Sequence, residues 1–153
     1  MFKINLNFFK KIFIIILLVI NTSDLMAEKN KYFNEGKGFF EKEKYDESKF
    51  FFEKDIVFDP KSEKSYLYLA KIFKIKKNEK EQETNLNSVL IINPNNDEAI
   101  YMLTLLKITQ SDYGKAKELI EKFDLVCKSF CSKKKELQIV FEKLIPENEQ
   151  IKN

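Results

Sequence analysis

From residue 29 onward, apolar and polar positions alternate with the period of a helix rather than a strand. Tyr32, Gly36 and Phe39 fall on one helical face, and Phe51, Phe52 and Phe58 mark a second face beyond the polar break Glu41–Lys44. The same paired pattern then recurs. Tyr32 maps onto Tyr66 and Ile100, Gly36 onto Ala70 and Thr104, Phe52 onto Leu86 and Ile120, and Phe58 onto Ile92 and Val126. Each step is 34 residues, the interval that also separates Pro60 from Pro94. A fixed period of this length is the mark of a repeat protein.

Three units follow, 29–62, 63–96 and 97–130. Each predicts a helix, a short turn and a second helix, with the second and third breaks at Lys76–Asn78 and Gln110–Asp112. Proline closes the first two units because it cannot continue a helix. Ser62 and Asn96 stand where the next helices start and suit N-caps. One helix pair cannot bury its own apolar face, but stacked neighbours can. A final helix over 132–145 serves as a cap: Leu137, Val140, Phe141 and Leu144 lie at i, i+3, i+4 and i+7. Pro146 ends it and 146–153 form a loose tail.

With bulky, small and aromatic residues in this order, the chain resembles the tetratricopeptide repeat family. The first unit reads Tyr32, Gly36, Phe39, Ser48, Phe52, Pro60; the second Tyr66, Ala70, Phe73, Leu86, Pro94; the third Leu103, Tyr113, Ala116, Ile120. Ser111–Ala116 is similar to the family's inter-helix turn. Three positions depart from the pattern. Asp55 stands at a small apolar position, Lys107 at an aromatic one, and Lys128 at the third proline. The resemblance implies an all-α fold: a short right-handed α-solenoid of three helix-turn-helix repeats plus a C-terminal capping helix.

It also implies a concave groove lined by the first helix of each unit. Carried over to this chain, the groove positions are Phe33, Lys37 and Phe40, then Leu67, Lys71 and Lys74, then Tyr101, Leu105 and Ile108. Such a strip of apolar and aromatic residues beside three lysines suits an extended or helical peptide. Equally, several of these residues could pack against the neighbouring repeat. Some family members clamp a C-terminal carboxylate with Lys and Asn. Phe33 and Glu98 replace two of those positions, which argues against that specific recognition.

The N-terminus follows another logic. Lys3, Lys10 and Lys11 precede an unbroken apolar run, Ile12–Ile20, then polar Asn21–Asp24 and Ala27. That is the layout of a secretory signal, and nine apolar residues fall short of the about 20 a spanning helix needs. A signal peptide over 1–27 is expected, with an uncleaved anchor as the alternative because Leu25 is larger than usual before a cut. The protein is then exported, to the periplasm or cell envelope of a bacterium.

Charge adds little. Lys+Arg is 27 against 24 Asp+Glu, a net charge of +3, and three of those lysines belong to the leader. No general attraction to nucleic acid is expected, and Lys133–Lys135 reads as a solvated face. The 15 phenylalanines, with lysine as the sole basic residue, suit A+T-rich coding. Histidine, arginine and tryptophan are absent, which excludes Ser-His-Asp and Cys-His catalysis, His-containing metal sites and arginine fingers. Two cysteines are too few for a structural zinc site. No catalytic residue, cofactor or metal is expected. Cys127 and Cys131, four apart on the predicted helix, lie near disulfide range, and export would favour the bond. Free thiols remain the other reading.

The best functional reading is a non-catalytic protein–protein interaction scaffold or adaptor of the envelope that binds a partner protein or peptide segment, with membrane proximity and self-association left open. One alternative is a membrane-tethered subunit held by an uncleaved N-terminal helix. Another is a thiol redox protein using Cys127 and Cys131, which the spacing disfavours because it is not Cys-x-x-Cys.

Overall fold

A computed structural model describes residues 31–144; the expected leader over 1–27 and the tail over 146–153 lie outside the described residues. Among these, all regular structure is helical: α1 (31–41), α2 (Tyr45–Phe58), α3 (Glu63–Ile75), α4 (Glu79–Ile92), α5 (Asp97–Thr109), α6 (Tyr113–Val126), a 3₁₀ turn (Cys131–Lys133) and α7 (Lys134–Leu144). None of the described helices is long and apolar enough to cross a membrane. The chain divides into two compact units, one ending at Pro60 and one beginning at Lys61.

In the first unit α1 and α2 form an antiparallel pair built on aromatic rings. Phe52 is fully buried and faces Gly36 so closely that a Cβ there would lie 2.8 Å from its ring. Glycine is needed at this crossing for space, not for backbone freedom. The Ser48 hydroxyl donates to the Gly36 carbonyl at 2.9 Å, so the same approach also satisfies a buried polar group. Tyr32 stacks on Phe58 and Phe39 on Phe51, with centroids 5.1 and 5.2 Å apart. Asp55, the departure noted in the sequence, is 1% exposed on α2.

The second unit stacks α3 to α7. Neighbouring helices pack in chain order, and α7 also contacts α5. Its core is mainly aliphatic: Leu86, Val89, Ile100, Leu103, Leu119 and Leu137 are all buried, with Phe123 among them. Each such side chain contributes roughly 1.5–3 kcal/mol through burial. Helix α5 is the centre of this unit and buries eight residues, whereas α7 buries only Leu137. Leu69, Leu103 and Leu137 are 34 apart and all buried, which makes α7 a further first-type helix in the same register.

The turns repeat as strictly as the cores. Glu43, Lys77 and Ser111, again 34 apart, have φ of 57°, 54° and 59°. In each turn the next residue donates its N–H back to the helix: Lys44 to Phe39, Asn78 to Phe73, Asp112 to Lys107. These bonds satisfy carbonyls orphaned at the helix end and require one left-handed residue. Asn78, Asn96 and Asp112 cap the helices that follow, accepting from the N–H of Glu81, Ala99 and Lys115. Ser62 occupies its expected N-cap position but makes no side-chain capping bond to α3.

Two departures from the family pattern have clear causes, and the cap begins differently from the sequence reading. Lys107, at an aromatic position of the pattern, reaches α4 and pairs with Glu83 at 2.6 Å, so a charge pair replaces ring packing. Lys128, at a proline position, donates its backbone N–H to Asp97, a bond proline could not make. The capping segment starts as a 3₁₀ turn, and α7 proper begins at Lys134. Of the capping stripe, Val140 and Phe141 are half-buried and Leu144 is 51% exposed.

Candidate functional site: a groove across α3, α5 and α7

The second unit carries an open groove of about 430 Å³. Its floor is one face of α5: Met102, Leu105, Leu106 and Thr109 recur at i, i+3, i+4 and i+7, with Ile108 beside them. One wall is the end of α3 and the start of α4, contributing Lys74, Lys77, Glu79 and Gln82. The opposite wall is α7, through Val140 and Leu144. The volume lies within the range of ligand sites, and an apolar floor with a few rim charges is the usual composition of one. Lys74 and Lys77 are both exposed, so their ammonium groups stay hydrated and available.

The nine positions carried over from the family separate into distinct settings. Lys74, Leu105 and Ile108 line the groove. Leu67 and Tyr101 are buried in the core, 8% and 9% exposed. Lys71 pairs with Glu98 at 2.7 Å and lies 4.8 Å from the Tyr68 ring centroid. In the first unit Phe33 is half-buried and packs on Phe52, Phe40 meets Tyr45 edge-on, and Lys37 pairs with Glu41 on the surface. The sequence reading missed Met102, Leu106, Lys77, Gln82 and the α7 wall. The i, i+4 spacing of Met102 to Leu106 and of Val140 to Leu144 was visible; that these stripes face each other was not.

Tyr101 ties the floor to the wall. Its ring lies 6.3 Å from Phe123 and 5.8 Å from Phe130, and its hydroxyl donates to Glu136 Oε1 at 2.6 Å. Burial, then the hydrogen bond and the negative charge of Glu136, push the Tyr101 phenol up to about 12. Hydrogen bonds from Lys133 and Tyr101, with the charges of Lys133 and Lys74, hold Glu136 below its usual value.

The link from α6 to α7 is held from below by Asp97. One carboxylate oxygen, Oδ2, accepts the N–H groups of Lys128, Ser129 and Phe130 at 2.7, 2.6 and 2.8 Å. Burial pushes the Asp97 carboxyl up, but these three bonds together with its own backbone N–H outweigh it and leave it below its ordinary value. Cys127 and Cys131 close this link as a disulfide, with Cα atoms 5.2 Å apart. They do not share a helix, as the sequence suggested: α6 ends at Val126, and Cys127 already has extended ψ of 140°. No group of three or more metal-ligating side chains occurs among the described residues.

No protein-family model matches the sequence, and no curated protein matches it. Solved structures do match its fold. The first TPR of Spaghetti (RPAP3) bound to the HSP90 peptide SRMEEVD aligns with a TM-score of 0.68 and 18% identity, covering 77% of this chain and 94% of that one. The TPR2B domain of yeast Sti1, in a pHsp70 complex, gives 0.66 at 17% identity, covering 81% and 98%. The Sgt2 TPR domain from Aspergillus fumigatus gives 0.61 at 16%, covering 76% of each. The chain therefore has the tetratricopeptide-repeat fold, an all-α helical-hairpin solenoid.

Proposed function

We propose that this chain is a non-catalytic interaction scaffold of the bacterial cell envelope, and that it holds a segment of a partner protein in the α3–α5–α7 groove. The observation that carries the reading is the groove itself, an apolar floor on α5 that reaches solvent at Leu105 and Thr109, between two lysines and the apolar wall of α7. Such a face suits an apolar segment, with Lys74 and Lys77 placed for an acidic group at one end. Two of the structures with this fold are complexes, one with an HSP90 peptide and one with pHsp70, which supports peptide binding as its use. Export rests on the leader pattern of residues 1–27.

The test is crosslinking of the full chain in envelope fractions, with a photoreactive residue at the exposed groove position Thr109. The comparison is Lys74→Glu/Lys77→Glu/Leu144→Asp, three exposed positions that leave the core intact. A protein captured by the parent and lost from the variant, with unchanged circular dichroism, supports the groove. Equal capture by both overturns it. Intact mass of the same sample reports whether the chain is cut after Ala27, and an uncut chain in the membrane fraction would replace export by tethering.

A further inference from the structure

We propose that the Cys127–Cys131 disulfide regulates this groove by controlling how firmly α7 docks. The inference rests on the groove reading and adds to it a thiol-dependent control. Helix α7 supplies one whole wall, yet it is the least anchored helix of its unit: it buries Leu137 alone, where α5 buries eight residues. Val140 and Phe141 are only half-buried, and polar ties add to them. These ties include the Tyr101–Glu136 bond and the Lys134 ammonium, which meets the Asp124 carbonyl at 2.9 Å and its carboxylate at 3.3 Å. The chain joining α7 to α6 is the short link closed by the disulfide. Asp97 pins the backbone of that link, and Phe130 within it packs on Tyr101. The link is thus clamped to α5 on one side and leads straight into the groove wall on the other.

Closing this loop limits the freedom that α7 gains when it comes away, so the bond favours the docked helix. Breaking it restores that freedom. Cys131 is exposed and Cys127 half-buried, so a thiol can reach the bond. The chemistry is exchange with a small dithiol. One thiolate of the dithiol attacks a cysteine sulfur, the Sγ–Sγ bond breaks, and a mixed disulfide forms. The second thiolate closes the reagent into its own disulfide. Two electrons and two protons pass to the protein, which ends as two thiols. The chain has only these two cysteines, so no other disulfide competes. The wall formed by Val140 and Leu144 then loosens while the floor on α5 stays.

The experiment is hydrogen exchange on the full chain, oxidised and after treatment with dithiothreitol, with Cys127→Ser/Cys131→Ser alongside. The expected result is exchange on the order of tenfold faster at the 134–144 amides after reduction, with α3 and α4 unchanged. The double variant should exchange fast without reductant and ignore it. Equal α7 protection in both redox states overturns the proposal, and so does faster exchange spread evenly over α3 to α6. Methyl spectra of Val140 and Leu144 supply the groove readout without any partner: they should broaden on reduction while Leu105 stays sharp, and an unchanged pair overturns the link to the wall. These readouts need no binding protein. Equal capture in the crosslinking test would remove the groove reading while leaving the α7 result to be judged by itself.

Discussion

The Tyr101 hydroxyl donates to Glu136 Oε1 at 2.6 Å, joining the central helix α5 to the groove wall α7. The bond has a consequence at high pH. The folded phenol is raised from 10.0 to about 12, so the native state holds this proton more tightly than the unfolded chain does. Its stabilising contribution is fully present below pH 10 and falls away as pH rises towards 12. Tyrosinate absorbance should show one phenol of six titrating near 12, and Glu136→Gln should bring it down. A Tyr101 phenol titrating at its ordinary 10.0 would contradict the bond.

Asp97 answers to acid instead. Its carboxyl is held below 3.8 in the folded chain by the backbone N–H groups of 128–130 and its own, which together prevail over burial. That contribution is present above 3.8 and is lost as pH falls through the lower folded value. Asp97→Ala should cost about 1–2 kcal/mol at neutral pH, a charge-assisted network discounted for its partial exposure. The difference from the parent should shrink as pH falls below 3.8. Urea titrations at pH 7 and in strong acid measure it, and a gap that persists undiminished in acid would remove the charge from the explanation.

The two acidic residues that hold inter-repeat loops show what the sequence could and could not reveal. Glu63 and Asp97 are 34 apart, and each binds the loop that closes its own repeat: Glu63 takes the Asn93 and Asn96 amides, Asp97 the N–H groups of 128–130. The period alone located the fold class, because apolar spacing and proline are local signals that a helix pair must obey. It could not locate this lock, since a carboxylate at a helix start looks like an ordinary first-turn charge until the loop folds back over it. The site was legible to the same degree. Leu105 and Ile108 follow from family position and line the groove, whereas Leu67 and Tyr101, carried over in the same way, pack into the core instead. For Tyr101 the difference is the packing of α7 and its link, through Phe130 and Glu136, and the second of these lies 35 residues away in the chain.

Gly36 tests the close crossing in the first unit. A methyl group there would meet the Phe52 ring at 2.8–2.9 Å, and Phe52 is fully buried with no room to retreat. Overpacking of this kind costs about 1–3 kcal/mol, against roughly 1 kcal/mol regained from the better helix propensity of alanine. Gly36→Ala should therefore destabilise the chain on balance, and Gly36→Ala/Phe52→Leu should recover part of the loss. Gly38 is the internal control, because a Cβ there meets nothing within 4 Å; Gly38→Ala should be neutral or stabilising. Thermal melts of the three variants decide it, and equal behaviour of Gly36→Ala and Gly38→Ala would show that the crossing is not tight.

Ser111 offers the reverse case, a site where glycine should help. Its φ of 59° places a side chain in the left-handed region, which costs a non-glycine residue roughly 1–2 kcal/mol. The turn demands that conformation, because the N–H of Asp112 must reach the Lys107 carbonyl and Asp112 must then cap α6. Ser111 is exposed, so its replacement forfeits no burial. Ser111→Gly should stabilise by about 0.5–1 kcal/mol, the relief being partly offset by the greater freedom of glycine in the unfolded chain. Ser111→Val, β-branched in the same conformation, should destabilise. Glu43 has the same backbone angle in the first unit, so Glu43→Gly should shift stability in the same direction. Opposite signs at the two positions would mean that the shared turn geometry does not set the energetics.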